Sequence, residues 1–414
     1  MEYKSRLADR LLPGLLAEFP AILLVGPRAC GKTTTASRHA ASVVRLDRPA
    51  EAAAFVADPD AALGQMPEPV LLDEWQVVPE VLGAVKRAVD RGSGPGRFLL
   101  AGSVSSELEG WWGPATGRVL RLHLAGFAVR EQLGRIEAAP FLDRVASGAP
   151  LGASRDTPDL PGYLALALRG GFPEPLLRLS PDAGARWMRS YLSQLTRREV
   201  NGGVGGGHDP AKFDAFVQAL ALNSAGTPQD KTLHEAAGVS RPTAISYGAF
   251  LQQLHLLDLV PAWAGNRTKR LVRAPKRYLT DPGLMGAALG LDLAAVMRDG
   301  DLIGRLLDTF VVAQLRAELE LSTGPMPRLH HLRTEQGRRE IDLVVEMGGG
   351  RVIGIEVKAA AAPKLETARH LAWLRDSLGD RFVAGVVLHT GSRTWSLGER
   401  ITAAPISSIW AEPG

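Results

Sequence analysis

The chain has 414 residues and a formal net charge of +4, and 45% of its residues are hydrophobic while 22% are charged. This length predicts two to three domains with buried cores, and the one cysteine, Cys30, excludes a disulfide framework. No apolar run is long enough for a transmembrane helix. We therefore expect a cytoplasmic protein without a signal peptide or membrane contact, whose mild positive charge permits nucleic-acid binding without requiring it.

The first strong pattern combines a strand, a glycine-containing loop and a helix. Residues 21–25 are typical of a buried parallel strand, and residues 33–42 have helical character. The loop between them matches G-x-x-x-x-G-K-S/T, so Lys32 is predicted to reach the β- and γ-phosphates of ATP and Thr33 to coordinate Mg²⁺. The predicted nucleotide-binding residues are Gly26, Pro27, Arg28, Ala29, Cys30, Gly31, Lys32, Thr33 and Thr34.

Further apolar runs predict the rest of a parallel sheet. They cover residues 43–47, 70–72, 97–103 and 119–124. Asp73 and Glu74 directly follow the second run, so we assign Asp73 to the metal and Glu74 to the attacking water. Ser103, at the end of the next strand, is predicted to sense the γ-phosphate. ATP hydrolysis is the reaction that this set of residues indicates.

Arg118 precedes the last predicted strand of this sheet. It has two interpretations: an arginine finger that acts on the nucleotide of a neighbouring molecule, or an ordinary surface arginine. The first would require a homo-oligomer, and the sequence does not choose between them.

The chain changes character after residue 135. Residues 137–160 are rich in Ala, Pro, Gly and Asp and indicate a linker, and residues 185–200 indicate a helix with a core-facing aromatic stripe. Residues 202–207 are nearly all glycine, which is typical of a mobile loop. We predict that residues 136–210 form a linker and helical segment.

Residues 211–290 are predicted to form a winged-helix-like domain. Residues 233–244 have the pattern of a short helix, a glycine turn and a second helix capped by Ser240. The predicted wing contains the basic residues Arg267, Lys269, Arg270, Arg273, Lys276 and Arg277. Contact with DNA phosphates is one interpretation of this basic run, and a solvated face on a protein-binding or lid module is the other.

Residues 341–346 and 352–358 alternate apolar and polar side chains around a glycine-rich turn, which predicts a hairpin. With the turn centred on Gly349, Asp342 lies opposite Glu356, and Lys358 shares their face of the sheet. Two carboxylates at one point can chelate Mg²⁺ or Mn²⁺, and a neighbouring lysine can activate water or stabilise a phosphorane. Asp308, on a predicted helix, could complete this cluster. The alternative is a cross-strand salt bridge on an exposed sheet face.

The order of these motifs resembles a family of prokaryotic AAA+-type ATPases whose C-terminal half carries an uncharacterised domain with a PD-(D/E)XK nuclease-like end. The matching segments are residues 26–34, 72–74, 100–103, 117–118, 171–173, 276–284, 342 and 356–358. The resemblance implies an α/β multidomain fold. Its parts are an AAA+-like P-loop NTPase domain with a parallel sheet over residues 1–135, the winged-helix middle domain, and a restriction-endonuclease-like α/β domain over residues 291–414.

The resemblance also implies roles for individual residues. Those of the ATPase are Lys32, Asp73, Glu74 and Ser103, and those of the nuclease are Asp308, Asp342, Glu356 and Lys358. A glutamate is usual in this family where Asp308 stands. The implied cofactors are ATP and Mg²⁺, with a second Mg²⁺ or Mn²⁺ at the nuclease-like site.

Three functions agree with these patterns. The ATPase could drive a machine that binds and cuts DNA or another nucleic acid. It could instead be an ATP-gated switch whose C-terminal domain is an inactive nuclease-like scaffold that binds DNA or a protein. It could also be a toxin or defence effector that a regulatory protein partner restrains.

Overall fold

The computed structural model describes residues 3–92, 94–102, 116–153, 157–202, 209–265, 273–322, 325–334 and 338–412. The chain forms two units: Met1–Phe127 with Phe250–His255, and Ala128–Ala249 with Leu256–Gly414. Within the described ranges, none of the helices combines the length and the apolar character that a bilayer-spanning segment needs. The division of the second unit into three domains stays a prediction.

The first unit is built on a five-stranded sheet, whose strands are β1 Ala21–Val25, β2 Ser42–Arg45, β3 Val70–Asp73, β4 Phe98–Ala101 and β5 Leu120–His123. Their order in the sheet is β2-β3-β4-β1-β5, and every neighbouring pair is parallel. The α-helices of this unit are Leu7–Glu18, Lys32–Ser37, Pro49–Ala57, Pro59–Leu63 and Val81–Asp90, and Trp75–Val77 is a 3-10 helix. The predicted parallel sheet is confirmed.

Both faces of this sheet are covered, which explains the continuous apolar runs. Leu23, Leu72 and Leu100 lie in one buried cluster, and their strand neighbours Leu24 and Leu71 lie in the cluster on the opposite face. Because all the strands are parallel, their carboxyl ends meet at one edge of the sheet. Loops that follow β1 and β3 therefore lie side by side at this edge.

The first predicted helix is shorter than expected. It ends at Ser37, and the backbone N–H groups of Ala41 and Ser42 donate to the carbonyl of Pro69. These bonds bring the chain into register with β3, so β2 begins at Ser42. Pairing with a distant strand therefore overrides the local helical character.

The second unit contains most of the helices. They are Val129–Gln132, Phe141–Ala146, Leu160–Arg169, Pro173–Arg178, Pro181–Gly202, Pro210–Leu222, Asp230–Ala236, Arg241–Gln253, Pro282–Leu289, Leu293–Val296, Gly300–Glu318 and Arg369–Leu378. The 3-10 helices are Leu319–Leu321, Gly348–Gly350, Leu365–Ala368, Gly379–Arg381 and Ile406–Ile409. Part of the predicted linker is thus a helix, because Phe141 and Leu142 are fully buried. The predicted glycine-rich loop lies mostly outside the described residues.

The second unit also holds a six-stranded mixed sheet, whose strands are β8 Arg328–Arg333, β9 Glu340–Glu346, β10 Val352–Lys358, β11 Phe382–His389, β12 Trp395–Gly398 and β13 Ile401–Pro405. Their order in the sheet is β12-β13-β11-β10-β9-β8. Helix Arg369–Leu378 buries Leu371 and Leu374 against one face of this sheet, together with Phe382. The predicted hairpin corresponds to β9 and β10, whose pairing of Ile355 with Leu343 confirms the predicted register.

The predicted helix–turn–helix elements are present. Helix Asp230–Ala236 ends before Gly238, whose φ of +61° suits glycine, and Ser240 caps the next helix by accepting from the Thr243 N–H at 3.3 Å. An antiparallel pair follows, β6 Leu257–Val260 and β7 Lys276–Leu279. These elements follow the order of a winged helix, and that identity stays a prediction.

Two of the sequence motifs meet at a buried carboxylate. Asp281 is 6% exposed and accepts from the N–H groups of Gly171 and Gly283 at 2.8 and 2.7 Å. Gly170 has a φ of +68°, and a Cβ there would lie 2.4 Å from Asp281 Oδ1. Gly170 is therefore required by its positive φ and by the close approach of Asp281.

Replacing Asp281 with alanine is expected to lower the free energy of unfolding by about 2–4 kcal/mol, because two buried N–H groups lose their acceptor. Burial raises the pKa of Asp281 from 3.8 to about 6. The folded state thus holds this proton more tightly, and wild-type stability should fall through this group as the pH rises from about 4 to about 6, a slope that Asp281→Ala removes. Urea unfolding across this pH range measures both effects.

Asp292→Ala is the matched control. Asp292 also caps a helix, by accepting from the Ala295 N–H at 2.7 Å, but it is exposed to solvent. Its replacement should cost about 0.5–1 kcal/mol. Equal losses for the two variants would show that burial of Asp281 has no special role.

Candidate functional site

The loop after β1 has the backbone geometry of an anion-binding nest. Ala29 and Gly31 have φ values of +61° and +100°, so successive N–H groups turn toward one concave surface. A Cβ on Gly26 would lie 2.0 Å from the carbonyl oxygen of Leu124, to which the Cys30 thiol also donates at 3.2 Å. The end of β5 therefore holds the loop in place, and only glycine fits at its first position.

Lys32 lies over this loop as a buried cation. It is 7% exposed, and its Nζ donates to the carbonyl oxygens of Gly26 and Pro27 at 2.9 and 2.8 Å. Among the residues that the structure describes, no carboxylate lies within ion-pair distance of this ammonium. A buried charge that contacts only neutral carbonyls is suited to an anionic ligand, such as a phosphate.

The predicted metal and water residues lie at the end of β3. Thr33 Oγ1 donates to Asp73 Oδ1 at 2.7 Å, and burial raises the pKa of the Asp73 carboxyl. A hydroxyl and a carboxylate are the hard oxygen ligands that Mg²⁺ prefers, so these residues fit that ion. Glu74 has a φ of +51°, which is rare for a residue other than glycine, and its carboxylate accepts from Gln76 Nε2. The structure thus places four residues predicted from the sequence at one edge of the sheet: Lys32, Thr33, Asp73 and Glu74.

The other residues predicted for the nucleotide site include Arg118, Arg28, Thr34 and Ser103. Arg118 lies before the start of β5, at the edge of the sheet opposite the loop, and its Nε donates to Asp90 Oδ1 at 2.6 Å. This agrees with a surface arginine in its own chain, and a role toward a second molecule stays a prediction. Arg28 is half-buried in the loop and Thr34 is exposed. Ser103 lies outside the described residues.

Sequence reasoning missed two histidines beside the loop. His123 ends β5 opposite Val25, and the ring of His255 packs against it edge to face at 5.4 Å. Burial, with the neighbouring His123 and the charge of Lys32, lowers the pKa of His255 to about 4. His123 could have been found from the sequence, because it lies at the end of a predicted strand. His255 comes from a distant segment and has no such signal in its neighbouring residues.

The predicted nuclease-like residues do come together in the second unit. The Val357 N–H and Lys358 Nζ donate to Asp342 Oδ2 at 3.0 and 3.3 Å, and Lys358 Nζ also donates to Glu356 Oε2 at 2.6 Å. Asp308, on helix Gly300–Glu318, lies in the same open cleft of about 470 Å³. The hairpin and this helix therefore bring the predicted acids together.

Lys276 is the residue that the sequence analysis misplaced. It was predicted to contact phosphates in a basic wing, but it is 2% exposed, and its Nζ donates to Asp308 Oδ2 at 3.3 Å and Asp342 Oδ1 at 3.4 Å. Arg277 is also engaged, in an ion pair with Asp230 at 2.5 Å. The basic-wing prediction is therefore wrong for both residues, because β7 carries them into the body of the unit. Arg267, Lys269 and Arg270 lie outside the described residues.

Charge in this cleft is balanced internally. Although burial opposes it, the charges of Lys276 and Lys358 lower the pKa of Asp342. Burial raises the pKa of Asp308, and burial together with the charge of Asp342 raises that of Glu356. Among the described residues, the lining contains as many basic as acidic side chains: Lys276, Arg305, Arg333 and Lys358 against Asp301, Asp308, Glu340 and Asp342.

The predicted second metal site does not fit this arrangement. Asp308, Asp342 and Glu356 were the predicted ligands, but the described residues include no group of three Asp, Glu, His or Cys side chains placed to hold a metal ion. A lysine ammonium stands between the carboxylates instead, Lys276 on one side of Asp342 and Lys358 on the other. The two lysines thus contact both oxygens of Asp342 and one oxygen each of Asp308 and Glu356, whereas Asp308 Oδ1 and Glu356 Oε1 have no hydrogen-bond partner in the described part of the chain.

Comparison with known families agrees with the geometry of the first unit. Residues 18–133 match the AAA domain family. The first unit is therefore similar to AAA domains. Residues 161–295 and 303–409 match two further families, each described as a domain of unknown function, DUF8612 and DUF4143. The nuclease-like and winged-helix resemblances of the second unit therefore stay predictions.

Relatives exist along the whole chain. Uncharacterised proteins from Mycobacterium bovis and Mycobacterium tuberculosis are each 29% identical over 424 aligned positions, which cover 99% of this chain and 85% of theirs. Among solved structures, the Orc1 protein of Aeropyrum pernix, in complex with DNA, matches 72% of this chain and 94% of its own at 16% identity, with a TM-score of 0.31.

Proposed function

We propose that this protein is a Mg²⁺-dependent ATPase and that its second unit is a binding module which the nucleotide state controls. The observation that carries the first part is the buried ammonium of Lys32, which contacts two backbone carbonyls above an anion-binding nest. A triphosphate supplies the anion that such a buried cation requires.

Each residue of the loop edge has a role in this proposal. Lys32 binds the β- and γ-phosphates, and Thr33 and Asp73 hold Mg²⁺, which neutralises phosphate charge when it is bound. Glu74 orients the attacking water and accepts its proton. The AAA-family match over residues 18–133 supports these assignments.

Lys32→Ala tests the nucleotide site. We expect it to abolish ATP binding in calorimetry and phosphate release in a turnover assay, because the ammonium over the predicted phosphate position is removed. Lys86→Ala is the matched control, since Lys86 lies in the same unit but pairs with Asp90 on the solvent side of helix Val81–Asp90. Unchanged ATP binding by Lys32→Ala would contradict the proposal.

For the second unit we favour the switch over the nuclease. Asp308 and Asp342 are paired with lysines, and the described residues that line the cleft carry no net charge to attract a polyanion. The exposed residues of helix Arg241–Gln253 are Arg241, Pro242, Ile245, Ala249 and Gln252, so three of the five are apolar, whereas DNA-reading helices present mainly polar and basic side chains. These observations support a protein partner over DNA as the ligand of the module, with a regulatory protein as one such partner.

The choice between these functions can be tested with one set of assays. ATP turnover is measured with and without double-stranded DNA, for the wild type and Asp342→Ala, and the same DNA is analysed on a gel. We expect turnover that is indifferent to DNA, and intact DNA in every lane. Stimulation of turnover by DNA, with cleavage lost only in Asp342→Ala, would instead establish the motor and nuclease.

A further inference from the structure

The cleft of the second unit contains a buried cation that belongs to the protein itself. Lys276 has 3% of its side chain exposed, and its ammonium lies 3.3 Å from Asp308 Oδ2 and 3.4 Å from Asp342 Oδ1. It also donates to the backbone carbonyl of Asp342 at 3.3 Å. All three contacts of the ammonium are therefore to oxygen atoms of the two residues that a metal would bridge.

Strand β7 fixes this arrangement. Lys276 and Tyr278 are two positions apart on the strand, so their side chains point to the same face, and Tyr278 Oη also donates to Asp308 Oδ2 at 3.5 Å. Tyr278 is 1% exposed. Asp308 Oδ2 is thus held by two donors from one strand, whereas Asp308 Oδ1 is buried without a hydrogen-bond partner among the described residues.

The balance of charge explains why the lysine is needed. Two neighbouring ionised carboxylates, such as those of Asp308 and Asp342, are unfavourable in a buried site without a compensating charge. The site therefore needs positive charge between them. Either a divalent cation or an ammonium can provide it, but not both at the same place, because two like charges at this distance repel strongly. Lys276 reaches this position from inside the unit, with its stem buried.

We infer that the ammonium of Lys276 is the resident cation of this cleft, so that the wild-type site binds neither Mg²⁺ nor Mn²⁺, and that removing this charge creates a divalent metal site between Asp308 and Asp342. This inference deepens the proposed binding role of the second unit. It does not depend on ATP hydrolysis, and its test measures metal binding.

The test is a Mn²⁺ titration of the nucleotide-free full-length protein, followed by the electron paramagnetic resonance signal of free Mn²⁺. Lys276→Met keeps the length of the side chain and removes its charge. We expect the wild type and the control Lys364→Met, at an exposed lysine outside the cleft, to show no binding that depends on Asp342. Lys276→Met should bind one Mn²⁺ more than the wild type, and adding Asp342→Ala should abolish this gain.

Stability provides a second measurement if Lys276→Met folds poorly. Mn²⁺ should raise the urea midpoint of Lys276→Met further than that of the wild type, and adding Asp342→Ala should remove this difference. The inference is overturned if the wild type binds Mn²⁺ and loses it in Asp342→Ala, or if Lys276→Met neither binds Mn²⁺ nor gains stability from it. Loss of ATP turnover in Lys32→Ala is independent of both results, so failure here leaves the ATPase proposal standing.

Discussion

Replacing Glu74 with glutamine is expected to lower the rate of ATP hydrolysis by about 10²–10⁴-fold while leaving ATP binding nearly unchanged. Glutamine keeps the shape of the side chain but cannot accept a proton from the attacking water. The backbone supports this role, because Glu74 has a φ of +51° directly after β3. Such a conformation costs about 1–3 kcal/mol in a residue other than glycine, and strain of this kind concentrates at functional positions.

The measurement is phosphate release under saturating ATP and Mg²⁺, with ATP affinity determined separately by calorimetry. Glu80→Gln is the matched control, because Glu80 lies six residues further along, is exposed, and precedes helix Val81–Asp90. We expect this control to turn over ATP at the wild-type rate. A Glu74→Gln variant that loses affinity and turnover together would indicate a structural role instead.

Replacing Glu318 with alanine is expected to lower the free energy of unfolding of the second unit by about 3–5 kcal/mol. The side chains of Arg130 and Glu318 are 2% and 1% exposed, and they form an ion pair. Glu318 Oε2 also accepts from the Phe141 N–H at 2.6 Å. Truncation would leave a buried guanidinium without its carboxylate and a buried N–H without its acceptor.

Urea unfolding of the full chain, monitored by tryptophan fluorescence, measures this loss. Glu366→Ala is the control, since Glu366 also pairs with an arginine, Arg369 at 3.2 Å, but is 81% exposed. That surface pair should contribute no more than about 1 kcal/mol. A similar small loss for Glu318→Ala would show that the buried pair contributes no more than the surface pair.

Much of the fold could be predicted from local patterns in the sequence. Strand β1, the loop after it and the acids after β3 were all predicted, because each signal lies within a few consecutive residues and continuous apolar runs suit strands covered on both faces. The register of β9 and β10 was predicted for the same reason. Side chains alternate with a period of two, and Gly349, with a φ of +73°, marks the turn.

Long-range contacts limited the other predictions. The first helix was placed too long because its end is decided by bonds from Ala41 and Ser42 to Pro69, a distant residue. The short helix Phe141–Ala146 was read as linker, since its composition is unremarkable and only its burial beside Glu318 reveals it. Neither feature has a signal in neighbouring residues.

Lys276 shows the limit of what can be predicted from the sequence alone. The sequence by itself predicted the candidate nucleotide site, because Lys32 and Thr33 lie within one turn of chain beside a strand-end acid pair, and it also placed Asp342, Glu356 and Lys358 on one face of a hairpin. Only the tertiary structure decided what that face contains. Lys276 stands 32 residues from Asp308 and 66 from Asp342 along the chain, so its basic neighbours suggested an exposed wing. Folding instead buries its ammonium between two carboxylates, whose negative charge compensates for its loss of contact with water.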